Sequence, residues 1–150
     1  MRMTKIGKAA LKKMHFVHCA LPDIALNGID TSMRLNGMVL DAPLLVQAKS
    51  KGEAELIERR FGTGAIVLSK SGASIFKDGR SVTLNGYAPC KVGDGLEAAK
   101  AIRAENKAVP YITSSVAHKR YEMIKQLRIA MFLTNSKSIA ELRKAPIYNG

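Results

Sequence analysis

Two short polar stretches stand where a ligand could be held. Ser50-Lys51-Gly52 follows the apolar run Val39 to Ala48, and Ser69-Lys70-Ser71-Gly72 follows Ala65-Ile66-Val67-Leu68. Buried strands that end in small polar loops are where α/β folds present backbone N–H groups and hydroxyls to ligands. The plainer reading of Ser50 and Ser69 is as polar caps after strands, and residue types alone leave both readings open. Stronger chemistry is not signalled. Cys19 and Cys90 have no CxxC spacing and no recognisable base, so neither a metal site, a disulfide framework nor a thiol nucleophile is expected. No Ser/His/Asp order, zinc spacing or P-loop occurs, and Gly93-Asp94-Gly95 falls far short of a nucleotide fingerprint. No catalytic residue is assigned, and His118-Lys119-Arg120 reads as a solvated helix face.

Charge is the compositional outlier. Lys and Arg number 24 against 12 Asp and Glu, a net charge of +12 that favours phosphate-rich or other anionic partners. The basic residues are scattered (Lys12-Lys13, Arg59-Arg60, Lys119-Arg120, Arg143-Lys144) and not interleaved with aromatics, so nucleic acid is not the expected partner. No apolar run reaches the roughly 18 residues that cross a membrane. The basic N-terminus, broken by Lys12, Lys13 and His15, makes a poor secretory signal. A reduced, cytoplasmic setting is expected.

The elements that would position these loops follow from pattern. At 150 residues one α/β domain is expected, with a turn-rich segment at 1–38, a strand core at 39–113 and helices at 114–150. A weak basic helix is expected at 4–14. Asn36-Gly37 predicts a hairpin pairing Thr31 to Leu35 with Val39-Leu40. A strand at 44–48, a helix from Glu53 to Phe61 capped by Gly62, and a strand at 65–68 form a parallel crossover. Asp78-Gly79 and Asn85-Gly86 bracket a second hairpin around Ser81 to Leu84. Asp94 is placed to cap a helix from Leu96 to Glu105. Pro110 argues that the strand at 108–113 lies at an edge or a bulge. A long helix is expected from Val116 to Phe132, with Tyr121, Ile124, Leu127 and Met131 on one side. Ser138 and Glu141 open a last helix as a capping box, and Pro146 ends it.

Four stretches resemble one superfamily of FMN-binding (β/α)8 barrels. FVHCALPDIALNGIDTSMRLNGMVLDAPLLVQA (16–48) and LRIAMFLTNSKSIAELRKAPIY (127–148) resemble the approach to the barrel and the C-terminal tail of type 2 isopentenyl-diphosphate isomerases. VGDGLEAAKAI (92–102) is similar to their helix after the glycine-rich phosphate loop. GEAELIERRFGTGAIVLSKSGASI (52–75) looks closer to α-hydroxy-acid oxidases such as lactate oxidase. The resemblance implies an FMN-dependent isomerase acting on a small diphosphate, isopentenyl diphosphate to dimethylallyl diphosphate. Mg2+ and NADPH enter only if that activity is retained. By the same resemblance Ala48, Ser50, Gly52 and Ser69 correspond to flavin contacts and Lys91 and Gly93 to the phosphate loop; His18 is the candidate diphosphate contact, although the family's N-terminal Arg-Lys-x-x-His motif is not present. No metal ligand is assigned.

Length and substitutions oppose carrying the activity over whole. A closed barrel takes about 250 residues and at least about 200, so a partial or remodelled flavin barrel of three to four mainly parallel strands is expected. The family's Ala-Met-Thr-Gly-Gly exit from the first strand is here Ala48-Lys49-Ser50-Lys51-Gly52. Its Gly-Gly-Ile-Arg lines up with Cys90-Lys91-Val92-Gly93. Glycines let backbone N–H groups approach a phosphate, and Lys91 replaces the charge of an Arg but not its bidentate geometry. Impaired or absent turnover is therefore expected. The alternatives are a non-catalytic remnant of an oxidase or isomerase barrel, or a basic module that binds phosphate or nucleic acid. Two sheet edges left open by the missing strands would favour a homo-oligomer.

Overall fold

The computed structural model describes residue 26 and residues 28–70, 72–105 and 107–145. The expected helix at 4–14, His18, Cys19 and Pro146 lie outside the described residues.

The chain first makes a small hairpin, β1 (Met33–Leu35) and β2 (Met38–Leu40), joined by Asn36-Gly37. Both turn residues have positive φ, 47° and 83°, the conformation a two-residue primed turn requires. In each strand the outer two residues are buried and the middle one exposed, so Met33, Leu35, Met38 and Leu40 present one apolar face.

Next come β3 (Leu45–Ala48), α1 (Lys51–Phe61) and β4 (Ala65–Ser69), the crossover that the sequence predicts. Gly62 closes α1 in the left-handed region at φ 65°. β5 (Gly72–Lys77) and β6 (Arg80–Thr83) form the second hairpin, turning at Asp78-Gly79, φ 53° and 72°. β7 (Ala88–Lys91), α2 (Gly95–Ala104) and β8 (Ala108–Ile112) make a second crossover. A 3-10 turn (Ser114–Lys119) leads into α3 (Arg120–Leu133), and α4 (Ile139–Lys144) follows.

Six strands form one sheet in the order β6-β5-β4-β3-β8-β7. The four from β4 to β7 are mutually parallel, and β5 and β6 run antiparallel at one side. The sheet is thus larger than the three to four strands expected. The added pair follows from linker length: a parallel return needs about a dozen residues or more, and only Lys70 and Ser71 separate β4 from β5. No closed barrel forms among the described residues; β6 and β7 are its two edges.

Both crossovers step in the same direction across the sheet, so right-handed connections send α1 and α2 to one face. On that face Ala54 and Ile57 of α1 and Ala98 of α2 pack with Val46, Ala48, Ala65 and Ile112. Strand side chains alternate, so Leu45, Ile66, Ile75 and Val109 point the other way, where the β1–β2 hairpin covers them. A third cluster joins α2, α3 and α4 through Ile102, Leu127, Met131 and Leu142.

Three readings are corrected. β8 is an interior strand, not an edge. Pro110 is accommodated because the β3–β8 ladder begins only at the next residue, with Leu45 opposite Tyr111. The long helix is a 3-10 turn followed by α3. Of its expected stripe, Ile124, Leu127 and Met131 are buried while Tyr121 is 72% exposed, because Arg120 and Met123 turn inward instead. Arg120 does not belong to a solvated face: it is 7% exposed, and its Nε donates to the Leu44 carbonyl at 2.9 Å. Its two terminal nitrogens donate to both oxygens of Asp41, at 3.1 and 2.8 Å. Among the described residues no helix is long and apolar enough to cross a membrane.

Candidate functional site

Four parallel strands place their C-terminal ends on one edge of the sheet. Across that edge, in spatial order, come Lys70 after β4, Lys49 after β3, Thr113 to Ser115 after β8, and Lys91 at the end of β7. All three lysines are exposed. Neighbouring strands lie about 4.8 Å apart, so the lysines cover about 15 Å across the sheet, and the register sets Lys91 level with Leu45, back along the strands from Lys49 and Lys70. Sheet order places on neighbouring strands lysines that the sequence scatters. This is the position where open parallel sheets take ligands.

The helix starts at this edge are closed by the chain itself. Ser50 caps α1: its backbone is extended, and its Oγ accepts from the Glu53 N–H at 3.3 Å. The Glu53 carboxylate reaches back to the Lys49 N–H at 3.1 Å. Asp94 and Glu97 form a reciprocal capping box on α2, with the Glu97 N–H donating to Asp94 Oδ1 at 2.8 Å. One Glu97 oxygen accepts from both the Gly93 and the Asp94 N–H groups. The Gly95 N–H goes to Gln126 Oε1 at 2.9 Å.

These contacts decide whether the turn before α2 fits the phosphate of FMN. A phosphate loop needs free, converging backbone N–H groups and no competing anion. Here the Glu97 carboxylate already stands over the Gly93 and Asp94 N–H groups, and a Cβ on Gly93 would lie 2.9 Å from it. The turn as folded does not fit a phosphate.

The other positions are spread by burial. Ala48 is 2% exposed and belongs to the core beneath α1. Gly52 lies in the exposed first turn of α1, with only Ser50 Oγ near its Cβ position, at 3.9 Å. Ser69 is exposed and its Oγ donates to the Gly72 carbonyl at 3.0 Å, across the turn into β5. Thr113 and Ser115 share a hydroxyl contact of 2.9 Å at the end of β8. Ser50, Ser69, Lys91 and Gly93 thus share one sheet edge, while Ala48 is packed below it. Cys90 is a half-buried free thiol. No group of three or more His, Cys, Asp or Glu among the described residues could hold a metal. Lys49 reads in the sequence only as a departure from a glycine-rich pattern, and Lys70 only as part of a polar loop. The signal is a lysine at the close of three of the four parallel strands.

The fold and this edge define an α/β protein with a mostly parallel sheet and a basic strand-end face. Two curated relatives give it a family context. The isopentenyl-diphosphate delta-isomerase of Cronobacter sakazakii (strain ATCC BAA-894) is 44% identical over 63 residues, 41% of this chain and 18% of the relative. That of Xanthobacter autotrophicus (strain ATCC BAA-1158 / Py2) is 46% identical over 46 residues, 31% of this chain and 13% of the relative. The chain therefore spans less than a fifth of the length of these relatives. The similarity supports a distant relationship to the isopentenyl-diphosphate isomerases. No family model matches the sequence, and no solved structure matches it significantly.

Proposed function

We propose that this chain is a remodelled portion of an FMN-dependent isopentenyl-diphosphate isomerase barrel that no longer turns over and that binds phosphate groups through the lysines of its strand ends. The observation that carries the reading is the parallel order β4-β3-β8-β7. In a closed barrel the first and last strands are neighbours; here the first parallel strand, β3, lies beside the last, β8. Loss of the barrel's middle strands would leave this arrangement, with Lys70, Lys49 and Lys91 on its ligand-facing edge.

Absence of turnover follows from the same geometry. The turn before α2 is occupied by a carboxylate, the Glu53 and Glu97 carboxylates at this edge are committed to backbone N–H groups, and no group of metal-ligating side chains is found among the described residues. The lysines supply charge without the fixed fork of an arginine, so recognition is weak and salt-sensitive. The test is an isomerase assay on isopentenyl diphosphate supplied with FMN, a reductant and Mg2+, beside a pyrophosphate titration. The reading expects no dimethylallyl diphosphate and saturable pyrophosphate binding that is lost in the Lys49→Gln/Lys70→Gln/Lys91→Gln variant. Product formation, or binding indifferent to the three substitutions, overturns it.

A further inference from the structure

A cavity lies away from the strand-end edge. It holds about 340 Å³ between the bend before β3, the end of α1 and the first turns of α3. That volume suits a small organic ligand. Arg120, Ile124 and Arg128 recur every four residues along α3 and line one wall. Arg120 is committed to Asp41 and the Leu44 carbonyl. Arg128 is not accounted for in that way: its Nε is buried and has no hydrogen-bond partner among the described residues.

A buried guanidinium N–H without an acceptor is costly and calls for one. Asp30 is the acid near Arg128, yet it is held below the usual carboxylate range chiefly by hydrogen bonds from Ser32, with Arg128 the smallest contributor. His118, exposed at the same cavity, adds another donor. An anionic group in the cavity would meet the positive charge of Arg128 on its wall.

The rest of the wall is aromatic. Tyr121 lines the cavity and is 72% exposed, the highest value among the exposed large apolar side chains described. Phe61 is half-buried on the α1 side, and Arg60 lies over its ring at 5.4 Å from the centroid. Two aromatic side chains beside guanidinium groups form a surface on which a flat ring stacks. The two aromatics stand 60 positions apart in sequence, which is why no basic-aromatic interleaving shows in the linear pattern.

We propose that this cavity binds a small aromatic phosphate of nucleoside monophosphate size, its phosphate on Arg128 and its ring between Phe61 and Tyr121. The proposal is independent of the strand-end reading, and the test separates the two. AMP, adenosine and inorganic phosphate are titrated separately into the full chain, with binding followed by NMR on the aromatic resonances. AMP is expected to bind saturably at one site, to shift Phe61 and Tyr121 resonances, and to bind more tightly than either fragment. Arg128→Gln should weaken AMP about tenfold, the loss of one charged hydrogen bond. Tyr121→Ala, at an exposed position that leaves the core intact, should weaken AMP but not inorganic phosphate. Arg80→Gln, at an exposed position in neither site, should leave AMP binding unchanged. No saturable AMP binding at millimolar concentration, inorganic phosphate binding as tightly as AMP, or an Arg128→Gln variant that is folded and binds AMP as before would each overturn the proposal.

Discussion

Arg120 and Asp41, 79 residues apart, close a bidentate ion pair over the start of the central strand. The partners are not equally buried: the Arg120 side chain is 9% exposed and that of Asp41 54%. Solvent screens the charge attraction at Asp41, so the hydrogen bond from Arg120 Nε to the buried Leu44 carbonyl contributes the larger part. Arg120→Met should therefore cost about 2 kcal/mol in urea unfolding, and Asp41→Asn less than about 1 kcal/mol. Equal costs for the two would contradict this division.

Two glycines at helix starts behave oppositely. A Cβ on Gly95 would lie 2.1 Å from the Met123 carbonyl oxygen and 2.7 Å from the Leu127 nitrogen, so α2 and α3 touch there only because no side chain intervenes. Gly95→Ala should destabilise the fold by about 3 kcal/mol. Gly52 is open to solvent, and Gly52→Ala should stabilise by about 0.5 kcal/mol through the unfolded chain. Thermal melting of both variants checks the contrast.

Both sheet edges carry features that would disfavour pairing with a second chain. On β7 the N–H groups of Ala88 and Val92 bond inward to β8, so Pro89 and Lys91 hold the outward positions. Pro89 has no donor there and Lys91 brings charge. On β6 the Thr83 carbonyl accepts from Asn36 Nδ2 at 3.1 Å. A Pro89→Val/Lys91→Val variant should shift toward a two-chain mass by light scattering. An unchanged mass would show that edge pairing is not what these residues restrain.

Local signals carried most of the fold. The Asn36-Gly37 and Asp78-Gly79 turns, the Asp94 and Ser138 caps and the Gly62 stop each depend on a few adjacent residues and lie where pattern places them. The misread positions depend on neighbours distant in sequence. Pro110 looks like an edge residue until the β3 ladder is seen to begin one residue later. Arg120 looks solvated until Asp41 and Leu44 are beside it. Gly93 looks like half of a phosphate loop until Glu97, four residues on, folds back onto its N–H. The lysine row exists only in the order of the strands.

Glu97 sets the occupancy of the turn before α2. Glu97→Ala removes half of the capping box and should cost about 1 kcal/mol. It also frees the Gly93 and Asp94 N–H groups beside Lys91, so pyrophosphate should bind more tightly than to the unsubstituted chain, read by calorimetric titration. Unchanged affinity would mean that these donors face away from any anion at the edge.

The most direct measurement of the central claim is an FMN titration of the chain, followed by flavin fluorescence at low and at high salt. A phosphate held only by exposed strand-end lysines predicts weak binding at low salt that fades as salt screens the charges. Tight, salt-insensitive, stoichiometric binding would mean a working flavin cradle, and no binding even at low salt would remove the phosphate-accepting edge; either result contradicts the account.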